Sequence, residues 1–457
     1  MLNRSVYKKL LDWKKNSKGK TLLIDGARQT GKTFLIEQFA KAEYPDYVKV
    51  DFLENSSAAT YLTDAKSANQ VIEALGLLTG KAINHEKTLI FFDEVQKAQN
   101  LVTLSKYLVQ DGRFDLVMSG SMLGVELNQV RSFPVGYLRT ETMYPLTFLE
   151  FCEAQGVPET VLEQVKECFE KKKEVETLYH DRLIQLFRLY LVIGGMPEAV
   201  QTYLDKENDL GAVRETQQEL VRLYREDIAK YAGERALQVK AIYDAIPSQL
   251  DKENKRFQLK SLKTQAKFER YANDFAWCTE VNIALKTTNV TEPKAMLERT
   301  KEENRFKLYC SDIGMLMSRY RGSVALSALS GAKKVNFGGI YENVVAQELA
   351  AAGVALHYYH NTKKGEVDFL IETDEGSVVP IEVKSGKDYK RHVALNNLMK
   401  SKEYSINCAY VLSEANVSVE QREGGQVFYL PLYMLPFIAD EAKGSNLEGV
   451  KASAPKW

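Results

Sequence analysis

Short apolar runs separated by helical stretches dominate the first third of the chain. The runs are Thr21–Ile24, Tyr47–Phe52, Thr88–Phe92 and Phe114–Ser119. Continuous apolar runs of this length, without strict alternation, mark strands buried on both faces, so a parallel sheet with crossover helices is predicted for residues 1–150. Helical periodicity then takes over in Phe148-Leu149-Glu150-Phe151, Asp181–Leu191 and Leu210–Tyr231. Gly194-Gly195-Met196-Pro197 reads as a helix stop followed by a restart. Residues 236–330 read as short helices with one β-like stretch at Val281–Leu285. A helix is predicted over 338–351. The strands Val367–Glu372 and Val378–Val383 follow, joined as a hairpin through Thr373-Asp374-Glu375-Gly376. From Asp440 the chain turns polar and reads as a loose tail.

These patterns predict an α/β protein of several domains. An N-terminal parallel sheet occupies 1–150, helical regions 151–235 and 236–330, a second α/β domain 331–440, and a flexible tail 441–457. A chain of 457 residues is too long for a single core.

Composition narrows the function classes. Acidic and basic residues number 61 each, so any nucleic-acid surface has to be a local patch. One such patch gathers Lys252, Lys255, Arg256, Lys260, Lys263, Lys267 and Arg270, offset by only two glutamates. The five cysteines are scattered without a CxxC pair, which argues against a disulfide framework or a zinc site and suits a reducing compartment. No apolar signal core follows Met1, and no run of about 18 apolar residues occurs. A soluble cytoplasmic chain without membrane contact is therefore expected.

The segment Gly26-Ala27-Arg28-Gln29-Thr30-Gly31-Lys32-Thr33 has the spacing G-x-x-x-x-G-K-[ST], after an apolar strand and before a helical stretch at Phe34–Ala42. Glycines let the backbone wrap phosphate oxygens with inward N–H groups, and the helix adds its positive end. Lys32 is placed to neutralise β- and γ-phosphates and Thr33 to ligate Mg²⁺. ATP and Mg²⁺ are the expected ligands. Thr88–Phe92 ends in Asp93 and Glu94. Asp93 is placed to hold the Mg²⁺ shell, and Glu94 to orient an attacking water as general base. Ser119, ending the next strand, is a candidate γ-phosphate sensor, with a plain Ser/Gly turn as the alternative.

At this point the chain resembles the prokaryotic AAA-type ATPases that join an AAA_14 domain to a C-terminal DUF4143 domain. The residues carrying the likeness run through nearly the whole chain. Besides the phosphate loop they are Phe92-Asp93-Glu94-Val95-Gln96-Lys97, Ser119-Gly120-Ser121, Met143–Phe151 and Gly194-Gly195-Met196-Pro197-Glu198. Tyr224 with Asp227-Ile228, Lys307-Leu308-Tyr309 with Asp312–Leu316, Tyr341-Glu342-Asn343, Glu366–Phe369 and Ile381–Lys384 complete the set. The resemblance implies ATP binding, an AAA-like core with a helical lid at 151–235, and a winged-helix-like region at 236–330. One departure stands out. Many members place Gly-Arg where this chain has Ser132-Phe133-Pro134-Val135-Gly136-Tyr137, so the arginine that would meet γ-phosphate charge is missing, and Arg131 and Arg139 are the nearest substitutes.

Near the C-terminus, Glu382 and Lys384 stand two apart on one strand and share a face. With Asp368 on the preceding strand and Glu342 on an upstream helix they resemble the PD-(D/E)xK nuclease-like set. Glu342, Asp368 and Glu382 are then candidate Mg²⁺ ligands, because hard carboxylate oxygens suit that ion. Three readings stay open: an ATPase acting on DNA, with or without cleavage; an ATP-gated switch; and a module binding nucleic acid, a protein partner or a second copy of the chain.

Overall fold

A computed structural model describes residues 2–16, 19–54, 56–80, 88–112, 114–121, 134, 136–332, 335–373 and 376–443. Arg131, Ser132, Phe133, Val135, the hairpin tip Asp374-Glu375 and the tail beyond Lys443 lie outside these residues. The chain divides into two compact units of three segments each. The first comprises Met1–Leu146, Ile193–Asp244 and Leu262–Ala284; the second comprises Thr147–Val192, Ala245–Ser261 and Leu285–Trp457. The protein is α/β, with a parallel sheet in the first unit and a mixed sheet in the second.

The first unit is built on a five-stranded sheet. Its strands are β1 (Thr21–Asp25), β2 (Asp46–Asp51), β3 (Thr88–Asp93), β4 (Asp115–Ser119) and β5 (Leu138–Thr142), in the order β2-β3-β4-β1-β5. All the pairs are parallel. Alternate residues of each strand feed two separate cores. Leu23, Val50, Ile90, Phe92 and Met118 pack in one, with Leu101 and Leu108 of the Gln99–Asp111 helix. Leu22, Ile24, Leu89, Phe91 and Val117 pack in the other, with Leu35 and Phe39 of the Lys32–Glu43 helix and Leu10 and Trp13 of the Val6–Asn16 helix. Burial on both faces is why these strands read as unbroken apolar runs. β5 carries no such run. Its sequence, Leu-Arg-Thr-Glu-Thr, is polar and half exposed at the sheet edge.

The second unit holds an eight-stranded sheet. Its strands are β6 (Ala284–Val290), β7 (Lys301–Cys310), β8 (His357–Asn361), β9 (Gly365–Glu372), β10 (Val378–Val383), β11 (Cys408–Ser413), β12 (Ser418–Arg422) and β13 (Gly425–Pro431). Their order is β12-β13-β11-β10-β9-β8-β6-β7. Residues 236–330 hold the helices Ala236–Leu250, Phe268–Glu280, Ile313–Ser318 and Gly322–Ser330, but two strands where one β-like stretch was expected. β6 begins three residues later than the β-like stretch expected, and β7 is a ten-residue strand. β7 escaped notice because Lys301-Glu302-Glu303-Asn304-Arg305 is charged, as suits a strand at a sheet edge, while Phe306–Cys310 is buried. Both strands extend the sheet of the C-terminal residues.

The Gly338–Ala351 helix is buried along almost its whole length, polar residues included. Each of these finds a partner. Asn343 exchanges two hydrogen bonds with the Cys310 backbone, and Gln347 accepts from Ile313 N at 2.8 Å and donates to Tyr190 Oη at 2.8 Å. Among the described residues no single helix is long and apolar enough to cross a membrane.

Candidate nucleotide site and the C-terminal carboxylate cluster

The loop Gly26–Thr33 sits at the C-terminal end of β1, which lies between β4 and β5, and opens the Lys32–Glu43 helix. Gly26 has φ +143°, and a β-carbon there would stand 2.2 Å from the Met143 carbonyl oxygen, so only glycine lets the loop leave the strand. Gly31 has φ +90° and starts the helix in the left-handed region. Arg4 donates to Thr30 O at 2.9 Å and Thr30 Oγ1 to Ala27 O at 2.9 Å, holding the loop from both sides.

Lys32 is buried, with Nζ donating to the carbonyls of Gly26 (2.8 Å) and Ala27 (2.7 Å). Burial pushes its ammonium down to about 8, against the opposing pull of Glu94, Asp25 and Asp93. Burial likewise raises the carboxyl of Asp25 at the end of β1.

Asp93, expected beside the loop, is there. Its Oδ2 accepts from Thr33 Oγ1 at 2.8 Å, its Oδ1 accepts from Ser119 Oγ, and Lys49 Nζ stands 3.6 Å away. A hydroxyl and a carboxylate brought together by a helix start and a strand end are hard oxygen donors, a set that fits Mg²⁺. Glu94 adopts φ +56°, which turns it off the strand. Its Oε2 accepts from Ser121 Oγ at 3.2 Å and from the Gln96 amide. Ser121 in turn accepts from Arg28 Nε at 3.4 Å. Lys32, Thr33, Asp93, Glu94 and Ser119 are thus one connected group at the carboxyl edge of the sheet.

Sequence reasoning did not foresee what holds Arg28. Its guanidinium pairs with Asp227 Oδ1 at 2.5 Å and donates to Tyr231 Oη at 3.2 Å, and its carbonyl accepts from Tyr224 Oη at 2.8 Å. All three partners lie on the Leu210–Tyr231 helix. The family resemblance had marked Tyr224 and Asp227 without giving them a role. Arg139 does not stand in for the missing arginine. It pairs with Leu22 in the sheet register, about 10 Å from the loop edge at roughly 3.3 Å per residue, and its guanidinium is held by Asp12 (2.7 Å) and Glu141 (3.1 Å).

Beside the loop, a cavity of about 270 Å³ opens between Leu2, Phe34, Gln38, Met143, Pro197 and Gln201. Its walls are mostly apolar. The stop-and-restart at Gly194–Pro197 contributes to it, with φ +75° at Gly194 and Pro197 in the first helical turn.

In the second unit Glu342, Asp368, Glu382 and Lys384 do come together, but around two ammonium groups, those of Lys307 and Lys255, that the sequence reading had not joined to them. Lys307, wholly buried on β7, lies 3.1 Å from Glu342 Oε2, 2.7 Å from Glu366 Oε1 and 3.6 Å from Asp368 Oδ1. Lys255 reaches Glu342 Oε1 at 2.8 Å, and Tyr309 Oη donates to Glu342 Oε2 at 2.8 Å. Asp368 Oδ2 accepts from Val383 N at 2.9 Å, and Glu382 Oε1 from Lys384 Nζ at 2.7 Å. Burial would raise Glu342, but Lys307 and Lys255 hold it down to about 2. Burial and the neighbouring charges of Glu342 and Glu382 push Asp368 well above the carboxylate range.

The expectation that Glu342, Asp368 and Glu382 ligate a metal ion does not fit this donor set. Lysine ammoniums take both oxygens of Glu342 and stand beside Asp368 and Glu382, leaving a divalent ion to enter against three positive charges. Among the described residues no three carboxylate, histidine or cysteine side chains are arranged to hold a metal ion. The basic residues grouped in the sequence divide between the units: Lys255 turns inward to Glu342 in the second, while the exposed Lys263, Lys267 and Arg270 belong to the first.

Three family models match separate stretches of the chain. Residues 18–152 match the AAA_14 family, an AAA domain. Residues 184–323 match DUF8612 and residues 337–433 match DUF4143, both domains of unknown function. No curated protein matches the chain. Among solved structures, a Walker-type ATPase of Pyrococcus abyssi is similar over 70% of this chain and 96% of its own, at 14% identity and a TM-score of 0.43. PCH-2 of C. elegans is similar over 46% of this chain and 64% of its own, at 11% identity and a TM-score of 0.27. The Pif1 helicase from Candida albicans is similar over 35% of this chain and 46% of its own, at 18% identity and a TM-score of 0.21. The chain joins an N-terminal AAA domain of the AAA_14 type to a C-terminal DUF4143 domain.

Proposed function

We propose that the chain binds and hydrolyses ATP with Mg²⁺ at the Gly26–Thr33 loop. The observation that carries this is the junction of Thr33, Asp93 and Ser119, with Glu94 one residue beyond Asp93. The loop N–H groups and Lys32 hold the phosphates. Thr33 and Asp93 hold Mg²⁺, which when bound neutralises phosphate charge. The cavity beside Phe34, Met143 and Pro197 takes the adenine, whose flat apolar faces suit its walls and whose polar edge suits Gln38 and Gln201. Glu94 accepts a proton from a water that attacks the γ-phosphorus. The bond from that phosphorus to the β–γ bridging oxygen breaks, and ADP leaves with the oxygen. Ser119 holds Asp93 in place from the neighbouring strand. Titration with MgATP and a phosphate-release assay on the wild type and Lys32→Ala test the reading. Saturable binding and turnover lost in the variant are expected, and turnover unchanged in Lys32→Ala would overturn it.

For the second unit, the lysine-filled carboxylate cluster disfavours metal-dependent cleavage. In the first unit, the exposed Lys263, Lys267 and Arg270 suit a phosphate backbone, so salt-dependent DNA association without nicking is expected. Nicking with Mg²⁺ or Mn²⁺ that is lost in Glu382→Ala would favour the nuclease reading instead.

A further inference from the structure

The nucleotide loop carries a cation that hydrolysis as described above leaves without a task. Arg28 lies between Gly26 and Lys32, yet its guanidinium does not point to solvent. One edge meets Ser121, the residue that donates to Glu94, and the other is held by Asp227 and Tyr231. The Tyr231 ring also stacks against the guanidinium, at 5.3 Å from its centre, and receives Lys97 at 4.9 Å on its own face. Asp227 and Arg28 are both largely sheltered, with 14% and 27% of their side chains exposed. A carboxylate on the Leu210–Tyr231 helix thus occupies a cation of the loop that also meets Ser121, the partner of Glu94, and Arg139 is committed elsewhere.

We propose that Arg28 is the arginine that meets γ-phosphate charge, and that Asp227 holds it in reserve, so that a triphosphate draws Arg28 off the Leu210–Tyr231 helix and a diphosphate does not. The inference rests on the reading of the loop as an ATP site. Arginine binds carboxylate and phosphate through the same planar fork, so the two anions compete for one guanidinium. Transfer of Arg28 to the phosphate breaks its ion pair with Asp227, its hydrogen bond to Tyr231 and its stacking on that ring together. The bond from Tyr224 to the Arg28 carbonyl does not depend on the side chain, so the helix stays tethered at that turn while its last turn is released. The same transfer frees Ser121 from Arg28, leaving it to Glu94 alone, which links occupancy of the γ-phosphate position to the group proposed to activate water.

The test measures MgATP and MgADP dissociation constants by calorimetry, and single-turnover hydrolysis, on the full chain. It compares the wild type with Arg28→Ala, Asp227→Asn and the double variant. Arg28→Ala is expected to weaken ATP on the order of 10-fold while leaving ADP within about twofold. It is also expected to slow hydrolysis on the order of 10³-fold. Asp227→Asn removes the competitor, so it should shift preference several-fold toward ATP, and the shift should vanish in the double variant. Equal loss for ATP and ADP in Arg28→Ala, or a shift from Asp227→Asn that survives without Arg28, would overturn the proposal. If the wild type binds neither nucleotide, the ATP reading itself fails and this inference falls with it. If it binds both and the variants leave the preference unchanged, this inference alone fails.

Discussion

Thr33 donates its hydroxyl to Asp93 across 2.8 Å, tying the first turn of the helix after the phosphate loop to the last residue of a strand sixty positions away. Only a sheet order that sets β3 one strand from β1, with β4 between, brings these ends together. Four consequences of this site and of the buried charges in the second unit can be measured.

Glu94→Gln keeps the shape of the side chain and its contacts with Ser121 and Gln96, but it cannot take a proton from water. Turnover should fall on the order of 10²- to 10⁴-fold while ATP still binds. Phosphate release under saturating ATP reads the first effect and calorimetry the second. Undiminished turnover would remove Glu94 from the chemistry.

Lys32 supplies a pH signature. In the free protein burial lowers its ammonium to about 8, and bound phosphates favour the charged form. Binding above that pH must therefore take up a proton. ATP affinity should be level below pH 8 and fall about tenfold per unit above it. Calorimetry in two buffers of different ionisation enthalpy detects the proton; an affinity independent of pH up to 9.5 would contradict it.

Glu348 makes the second unit sensitive to base. Its Oε1 accepts from Phe148 N at 2.9 Å and Tyr190 Oη at 3.0 Å, and burial raises its carboxyl from 4.5 to about 8. The folded state thus binds a proton that the unfolded chain releases. The contribution is complete below pH 4.5 and is lost as pH rises through 8, at about 1.4 kcal/mol per unit across the window. Glu348→Gln, neutral at every pH, should flatten that slope in denaturant titrations run from pH 5 to 9.

Lys307→Met should cost about 3–5 kcal/mol, because it strands Glu342, Glu366 and Asp368 without the buried ammonium they share. Urea unfolding followed by tyrosine fluorescence measures the change. A loss under about 1 kcal/mol would show that Lys255 alone balances the cluster.

The fold was legible where burial was symmetrical. Leu89, Phe91, Ile90 and Phe92 face different cores, so β3 announces itself as an apolar run and carries Asp93 and Glu94 at its end. It was illegible at sheet edges. β5 and the first half of β7 place polar or charged residues where one side of the strand has no neighbour, and such sequences resemble loops. The nucleotide loop was readable because its residues are consecutive and glycine-punctuated. Asp227 pairs with Arg28 across 199 positions, and nothing local to either residue encodes that distance. The C-terminal carboxylates were marked by spacing and resemblance, Lys307 by a family motif and Lys255 by a basic stretch, but nothing local joined these lysines to those acids. Their burial against those acids, which decides what the cluster can bind, belongs to the folded state alone.

The interleaving of the two units governs how the chain can be made and cut. The nucleotide unit ends at Ala284, and it includes Ile193–Asp244, which supplies Tyr224, Asp227 and Tyr231. A fragment stopped at residue 152, where the AAA match ends, would leave Arg28 without its keeper. During synthesis the ribosome must pass residue 284 before that unit is whole, with stretches of the other unit already exposed and waiting. The phosphate loop leaves the ribosome well over two hundred residues before the last segment of its unit.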